Sequence, residues 1–172
     1  RISINLSVRS LQDRQLPGQV QQLVDRHRIN PDRVILEITE SAIMSDPLTA
    51  RRVMRRLSNM GFQLSIDDFG TGYSSLAYLK RLPVDEIKID RSFVRDIMVD
   101  ANDAALVDTI LTLASHLGLK VVAEGVESKV LFEHLGTRGC SLFQGYYFGR
   151  PASASDFESR WLSEPIAVNT AG

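Results

Sequence analysis

Gln63-Leu64-Ser65-Ile66-Asp67-Asp68-Phe69-Gly70-Thr71-Gly72 is the stretch on which the fold turns. Its strand-like beginning ends on two adjacent acids, then passes through a glycine-bearing loop and Tyr73, Ser74 and Ser75 to an apolar helical start at Leu76. Outward in both directions the same unit recurs. Strand patterns fall at 2–6, 34–38, 63–66, 86–89, 120–123 and 142–148, several of them apolar at consecutive positions, as in strands covered on both faces. Helical patterns lie between them. Asp46-Pro47 supplies an N-cap and a proline at the first helical position, Met54, Leu57 and Met60 mark the buried side, and Gly61 closes the helix. A second helix begins near Asn102, presents Ala105, Leu106, Ile110, Leu113, Ala114 and Leu117, and stops at Gly118. Further helices read at 16–27, 74–81, 128–135 and 155–162. The order is β then α, repeated, around a parallel sheet. Length alone favours an open α/β sheet, because a full eight-fold β/α barrel takes about 250 residues. The nucleotide signatures G-x-G-x-x-G and G-x-x-x-x-G-K-[ST] are absent.

The 172 residues hold 20 Lys and Arg against 21 Asp and Glu, a net charge of −1, with 44% hydrophobic residues. This balance argues against a DNA binder or an anionic-membrane binder, which depend on excess cationic charge. No apolar run reaches the roughly 20 residues of a membrane span, and no leader pattern is present, so a cytoplasmic domain is expected. The single cysteine, Cys140, rules out an internal disulfide framework and a multi-cysteine zinc site, and reads as a small buried hydrophobe. His27, His116 and His134 sit on helices without a second ligand at matching spacing. Arg51-Arg52 and Arg55-Arg56 read as the solvated side of an amphipathic helix.

The chemistry concentrates where the strands end. Asn5, then Glu37 and Glu40, Asp67 and Asp68, Lys88 and Asp90, Glu124 and Glu127 close the first five strands, and Gln144 lies in the sixth. In parallel β/α architectures these ends share one rim, where the active site lies. Converging carboxylates repel one another unless cations neutralise them, and an oxygen-rich set without His or Cys suits Mg²⁺ or Mn²⁺. Where the pleat ends, Asp67 and Asp68 can serve together, one bridging two ions and the other binding one. Two cations about 3.5–4 Å apart form the usual clamp for displacement at phosphorus. Metal-assisted phosphoryl hydrolysis is the reading. Gly70, Thr71 and Gly72 permit either a lid or phosphate-contacting turn, or a plain β-to-α connection capped by Ser74 or Ser75. Trp161 and Phe157 are expected to pack the last helix onto the sheet, and Tyr146 or Tyr147 to fill core or stack on a base.

Asn5-Leu6-Ser7, Glu37-Ile38-Thr39-Glu40, Asp67 through Leu76, Ile87-Lys88-Ile89-Asp90, Ala123-Glu124-Gly125-Val126-Glu127 and Gln144-Gly145-Tyr146-Tyr147-Phe148 together resemble the EAL family of bacterial cyclic di-GMP phosphodiesterases. The resemblance implies a modified TIM-type (β/α)8 barrel that hydrolyses cyclic di-GMP to linear pGpG with two Mg²⁺ or Mn²⁺ ions. By that pattern Asn5, Glu37 and Asp67 ligate the first metal, and Asp67 with Asp68 serves the second. Lys88 orients or polarises the attacking water. Glu124 is either general base or second-metal group, and Gln144 positions water or ligand. Glu40 holds the loop of Gly70, Thr71, Gly72 and Tyr73, with Asp90 and Glu127 as further loop or ligand residues. The family also implies a homodimer through that loop and the following helix, and a fused sensory or GGDEF-type domain in the parent.

The Glu-Ala-Leu tripeptide and two barrel strands that precede Asn5 in the family are not in this sequence. The expected organisation is therefore a partial EAL domain over 1–163, with about six β/α units, and a polar tail over 164–172. The rival readings are a receptor that binds cyclic di-GMP without cutting it and a purely dimerising domain; the intact acidic rim favours the enzyme. The 172-residue chain itself is expected to bind metal weakly and turn over little, which a phosphodiesterase assay with Mn²⁺ checks: normal turnover would refute it.

Overall fold

The structure, a computed structural model, describes residues 1–72 and 76–162. Ser74, Ser75, Tyr73 and the expected tail at 164–172 lie outside the described residues. Six strands form one parallel sheet in sequence order: β1 (Ile2–Asn5), β2 (Val34–Thr39), β3 (Gln63–Phe69), β4 (Glu86–Ile89), β5 (Lys120–Glu124) and β6 (Leu142–Gln144). The helices between them are α1 (Val8–Gln12), α2 (Leu16–His27), α3 (Glu40–Ser45), α4 (Pro47–Asn59), α5 (Leu76–Leu79), α6 (Arg91–Asp96), α7 (Ala101–Leu117) and α8 (Lys129–Thr137), and α9 (Ala154–Phe157) follows β6. None of the described helices is long and apolar enough to cross a membrane.

Alternation along the strands sorts the two faces. Leu36, Ile38, Leu64, Ile66, Ile87 and Ile89 are buried toward the helices, against Ile43, Met54, Leu57 and Val107. Between them on the other face stand Glu37, Ser65, Glu86 and Lys88, also buried. Polar side chains on that face escape solvent because the sheet curls. Ser3, Glu37, Lys88, Val122 and Gln144, from five strands, line one hollow of about 410 Å³. The strand order and curl are those of a β/α barrel wall, so the open flat sheet that length favoured is set aside.

Caps fall where the residue types put them. Asp46 accepts from Thr49 N–H at 3.1 Å ahead of Pro47, and Gly118 ends α7 in the left-handed region at φ 68°. Three short helices, α1, α3 and α6, have no periodic pattern long enough to read in advance. The strand expected over 142–148 stops at Gln144, because Tyr147 N–H turns back to donate to Val126 carbonyl at 3.1 Å and Phe148 N–H to Gly145 carbonyl at 3.1 Å. The last helix is likewise shorter than expected: α9 ends at Phe157 and a wider turn runs Glu158–Leu162. Phe157 and Trp161 are both exposed, so they do not pack this segment onto the sheet. Tyr147 instead stacks on Phe132 at 6.0 Å, while Tyr146 lies beneath the Arg150 guanidinium at 4.5 Å. Cys140 is buried, as expected, and burial pushes its thiol up.

Gly145 is where the chain after β5 and the chain after β6 come closest. Val126 N–H donates to the Gln144 carbonyl at 3.1 Å, and a Cβ on Gly145 would overlap the Val126 backbone. This contact aligns the ends of β5 and β6, hence Glu124 opposite Gln144. Gly145→Ala should cost about 1–3 kcal/mol of stability, the range for overpacking, read from urea unfolding midpoints; a change below about 0.5 kcal/mol would show that the two turns part freely.

Candidate active site

The strand ends meet on Lys88. Its ammonium lies 3.1 Å from Glu37 Oε2, 3.1 Å from Asp67 Oδ1 and 2.6 Å from Glu124 Oε1, so carboxylates from β2, β3 and β5 converge on one cation from β4. Lys88 is 3% exposed. Burial works against its charged form, yet the hydrogen bond and charge of Glu124 together with Asp67 and Glu37 outweigh it and push the lysine well above its ordinary value. Glu124 moves up as well: burial raises its carboxyl, and Lys88 offsets this only in part.

A bulge puts both aspartates at this point. Ile66 pairs with Ile87 and Phe69 with Ile89, so β3 spends three steps where β4 spends two. One residue is extra, and the alternation that would send Asp67 and Asp68 to opposite faces is broken. Asp68 accordingly sits at φ 53°, a left-handed conformation that is costly for a residue with a side chain. Oxygens of Asp67, Asp68 and Glu124 fall within 4.8 Å of one another. Burial, then the charges of Asp67 and Asp90, raise the Asp68 carboxyl. Asp90 caps α6, accepting from Ser92 N–H at 2.8 Å and from the Ser92 hydroxyl. Those bonds overcome its burial and hold its carboxyl low.

Asn5 stands beside Glu37 in the ladder and Gln144 beside Glu124, at the two ends of the array. Neither makes a side-chain hydrogen bond to the carboxylate cluster among the described residues. Glu127 is exposed and three residues beyond Glu124. The loop after β3 begins with a turn in which Thr71 N–H and Oγ1 donate to the Asp68 carbonyl at 3.3 and 2.9 Å. Gly70 has φ 100°, and a Cβ there would stand 3.1 Å from the Phe93 ring. Glu40 is 5% exposed, and its carboxylate has no hydrogen-bond partner among the described residues. A Cβ on Gly72 would come within 2.9 Å of Glu40 Oε1, so the loop backbone lies directly on this carboxylate.

Two polar residues escaped the sequence reading. Glu86 and Ser65 pair in register beneath Lys88 and are buried, with burial pushing the Glu86 carboxyl up. The signal was present in Glu86-Ile87-Lys88-Ile89, whose alternation places Glu86 on the face of Lys88.

Five carboxylates on a rim of a curled parallel sheet, with one lysine among them, form an oxygen-rich site of the kind that suits hard divalent cations. Residues 1–151 match the EAL domain, and the chain belongs to that family. It is 46% identical over 153 residues to a Pseudomonas aeruginosa protein, the bifunctional diguanylate cyclase/cyclic di-GMP phosphodiesterase MucR, a match that takes in 89% of this chain but 22% of that protein. The chain thus spans about a fifth of that relative's length. Among solved structures, the MucR phosphodiesterase in complex with c-di-GMP superposes with a TM-score of 0.87 at 45% identity, over 91% of this chain and 64% of that one. Klebsiella pneumoniae BlrP1, solved with cy-diGMP and calcium or manganese, gives a TM-score of 0.82 at 37% identity, over 88% of this chain and 39% of that one.

Without a cation from solution, Lys88 is the one cation paired with Glu37, Asp67 and Glu124 among the described residues. Lys88→Met should therefore cost about 3–5 kcal/mol in the presence of EDTA, the range for breaking a buried ion pair, measured by urea unfolding. Added Mn²⁺ should return part of it; a cost under about 1 kcal/mol would mean that the carboxylates find another counter-charge.

Proposed function

We propose that this chain is the catalytic part of a cyclic di-GMP phosphodiesterase, hydrolysing one phosphodiester of the cyclic dinucleotide to linear pGpG. The observation that carries this reading is the meeting of Glu37, Asp67 and Glu124 from three strands on Lys88, with Asp68 brought alongside by the bulge. Glu37, Asp67, Asp68, Asp90 and Glu124, when ionised, outnumber the Lys88 charge by four, which two divalent cations would balance. Hard oxygen donors without a His or Cys among them fit Mg²⁺ or Mn²⁺. Asn5, Glu37 and Asp67 would hold one ion, and Asp67, Asp68 and Glu124 the other. The carboxyl spacing within 4.8 Å favours the second-metal role for Glu124 over that of a free general base.

When bound, the two cations supply Lewis-acid charge to the phosphoryl oxygens and the leaving oxygen and make water a stronger nucleophile. The chain's own residues set the geometry. Lys88, held by three strands, donates a hydrogen bond toward the attacking oxygen and offsets charge that grows on phosphorus-bound oxygens. Gln144, aligned with Glu124, orients the ligand or its water. Glu40, pressed against Gly72, keeps the loop of Gly70 to Gly72 seated beside Asp68. On the same reading the chain acts in the cytoplasm, dimerises through that loop and α5, and works fused to sensory or cyclase domains.

Cyclic di-GMP incubated with Mn²⁺ and a longer protein containing the chain should give pGpG on chromatography, with much less from the 172-residue chain alone, and EDTA should abolish both. Asp67→Asn should lower the rate on the order of a hundredfold or more. Binding of cyclic di-GMP without any product, in the chain and in a longer protein containing it, would instead make this a receptor.

A further inference from the structure

Arg91 breaks a local rule. It occupies the first position of α6, directly after the Asp90 cap, where the helix end carries partial positive charge and a cation is disfavoured. It is exposed, and its charge helps to lower the neighbouring Asp90 carboxyl. It is nonetheless held firmly in place. Gly125, in the left-handed region at φ 71°, lies so close that a Cβ there would stand 2.6 Å from Arg91 Cβ and 3.3 Å from its Cα. The glycine after Glu124 thus lets the start of α6 pack against the end of β5, which puts the Arg91 backbone and Cβ against the turn that follows Glu124, one residue after Asp90.

Charge bookkeeping says what this cation could meet. With two divalent ions in place, the five carboxylates and Lys88 sum to zero, and Lys88 is given over to the attacking oxygen at the scissile phosphodiester. A cyclic dinucleotide carries two phosphodiesters, and only one can be cut at the cluster. The second is left without a partner there. Of the cations that follow β4, β5 and β6, Arg95 pairs with Asp96, Lys129 with Glu133, and Arg150 lies over Tyr146.

We infer that Arg91 is a substrate-binding residue that holds the second, uncut phosphodiester of the cyclic dinucleotide, an inference that rests on the phosphodiesterase reading of the site. A guanidinium suits this role because its planar fork can donate two hydrogen bonds to one phosphate.

Calorimetric titration of cyclic di-GMP into the chain with Ca²⁺ tests it. Arg91→Ala should bind about tenfold more weakly, as for loss of a hydrogen bond to a charged group, and Arg91→Lys should fall between. Ca²⁺ affinity measured alone should not change. Bis(p-nitrophenyl) phosphate, which has a single phosphodiester, should compete equally well in wild type and Arg91→Ala. Unchanged cyclic di-GMP affinity in Arg91→Ala overturns the inference and leaves the phosphodiesterase reading standing. Equal loss of both ligands, or of Ca²⁺ affinity, also overturns it by making Arg91 structural. Failure of the wild type to bind cyclic di-GMP brings down the reading itself, and the inference with it.

Discussion

The ion pairs of Lys88 are the constraint on which the rest of the structure depends. Taking an ammonium and three carboxylates out of water costs several kcal/mol per ion, and only close, well-directed contacts recover it. The contacts come from β2, β3 and β5, so the register of those strands against β4 is fixed by chemistry on the polar face as well as by packing on the apolar face. A one-residue slip of β4 would turn Lys88 toward the helices and bring Ile87 or Ile89 among the carboxylates. The fold and the site therefore share one requirement. Because three acids meet a single base, the arrangement is also incomplete in charge, and the same residues that bind Lys88 have capacity left for cations.

Strain is concentrated next to that cluster. Asp68 in the left-handed region, the extra residue in β3 and the close approach of Gly72 to Glu40 all fall within a few residues. Regular pairing of β3 with β4 would remove the strain and would also send Asp68 away from Asp67. The surrounding packing has to hold the bulge in place: Ile66 and Phe69 on either side of it are buried, and Phe93 lies under Gly70.

Much of this was legible in the amino-acid sequence, for identifiable reasons. Strand starts and the helices α2, α4 and α7 follow from periodicity and from caps at Asp46, Gly61 and Gly118, which are local properties. The rim was legible because parallel strands point one way, so Glu37, Asp67, Lys88 and Glu124 had to end together. Curl was not: it is a property of the whole sheet, and length pointed to an open one. The end of β6 also failed to show, because Tyr147 and Phe148 have strand propensity and are diverted by hydrogen bonds to Val126 and Gly145. Phe157 and Trp161 look like core residues by type, but no described element covers them. Glu86 was passed over because a single acid at the start of a strand has no local mark of burial.

The glycines show why sequence and site are tied more tightly here than propensity suggests. Gly70, Gly72, Gly125 and Gly145 are each adjacent to a strand end, and each allows a close approach: to Phe93, to Glu40, to Arg91 and to Val126. Each contact joins one strand end to its neighbour or to the helix that follows. A rim assembled from five strands needs such joints, since the side chains that do chemistry cannot themselves fill the gaps between loops without giving up their reach toward the centre. Glycine supplies the joint by being small, and it gives up backbone order in the unfolded chain to do so. The acids can then lean inward toward Lys88 while the loops behind them touch, which is the geometry that a doubly anionic ligand and two cations would require.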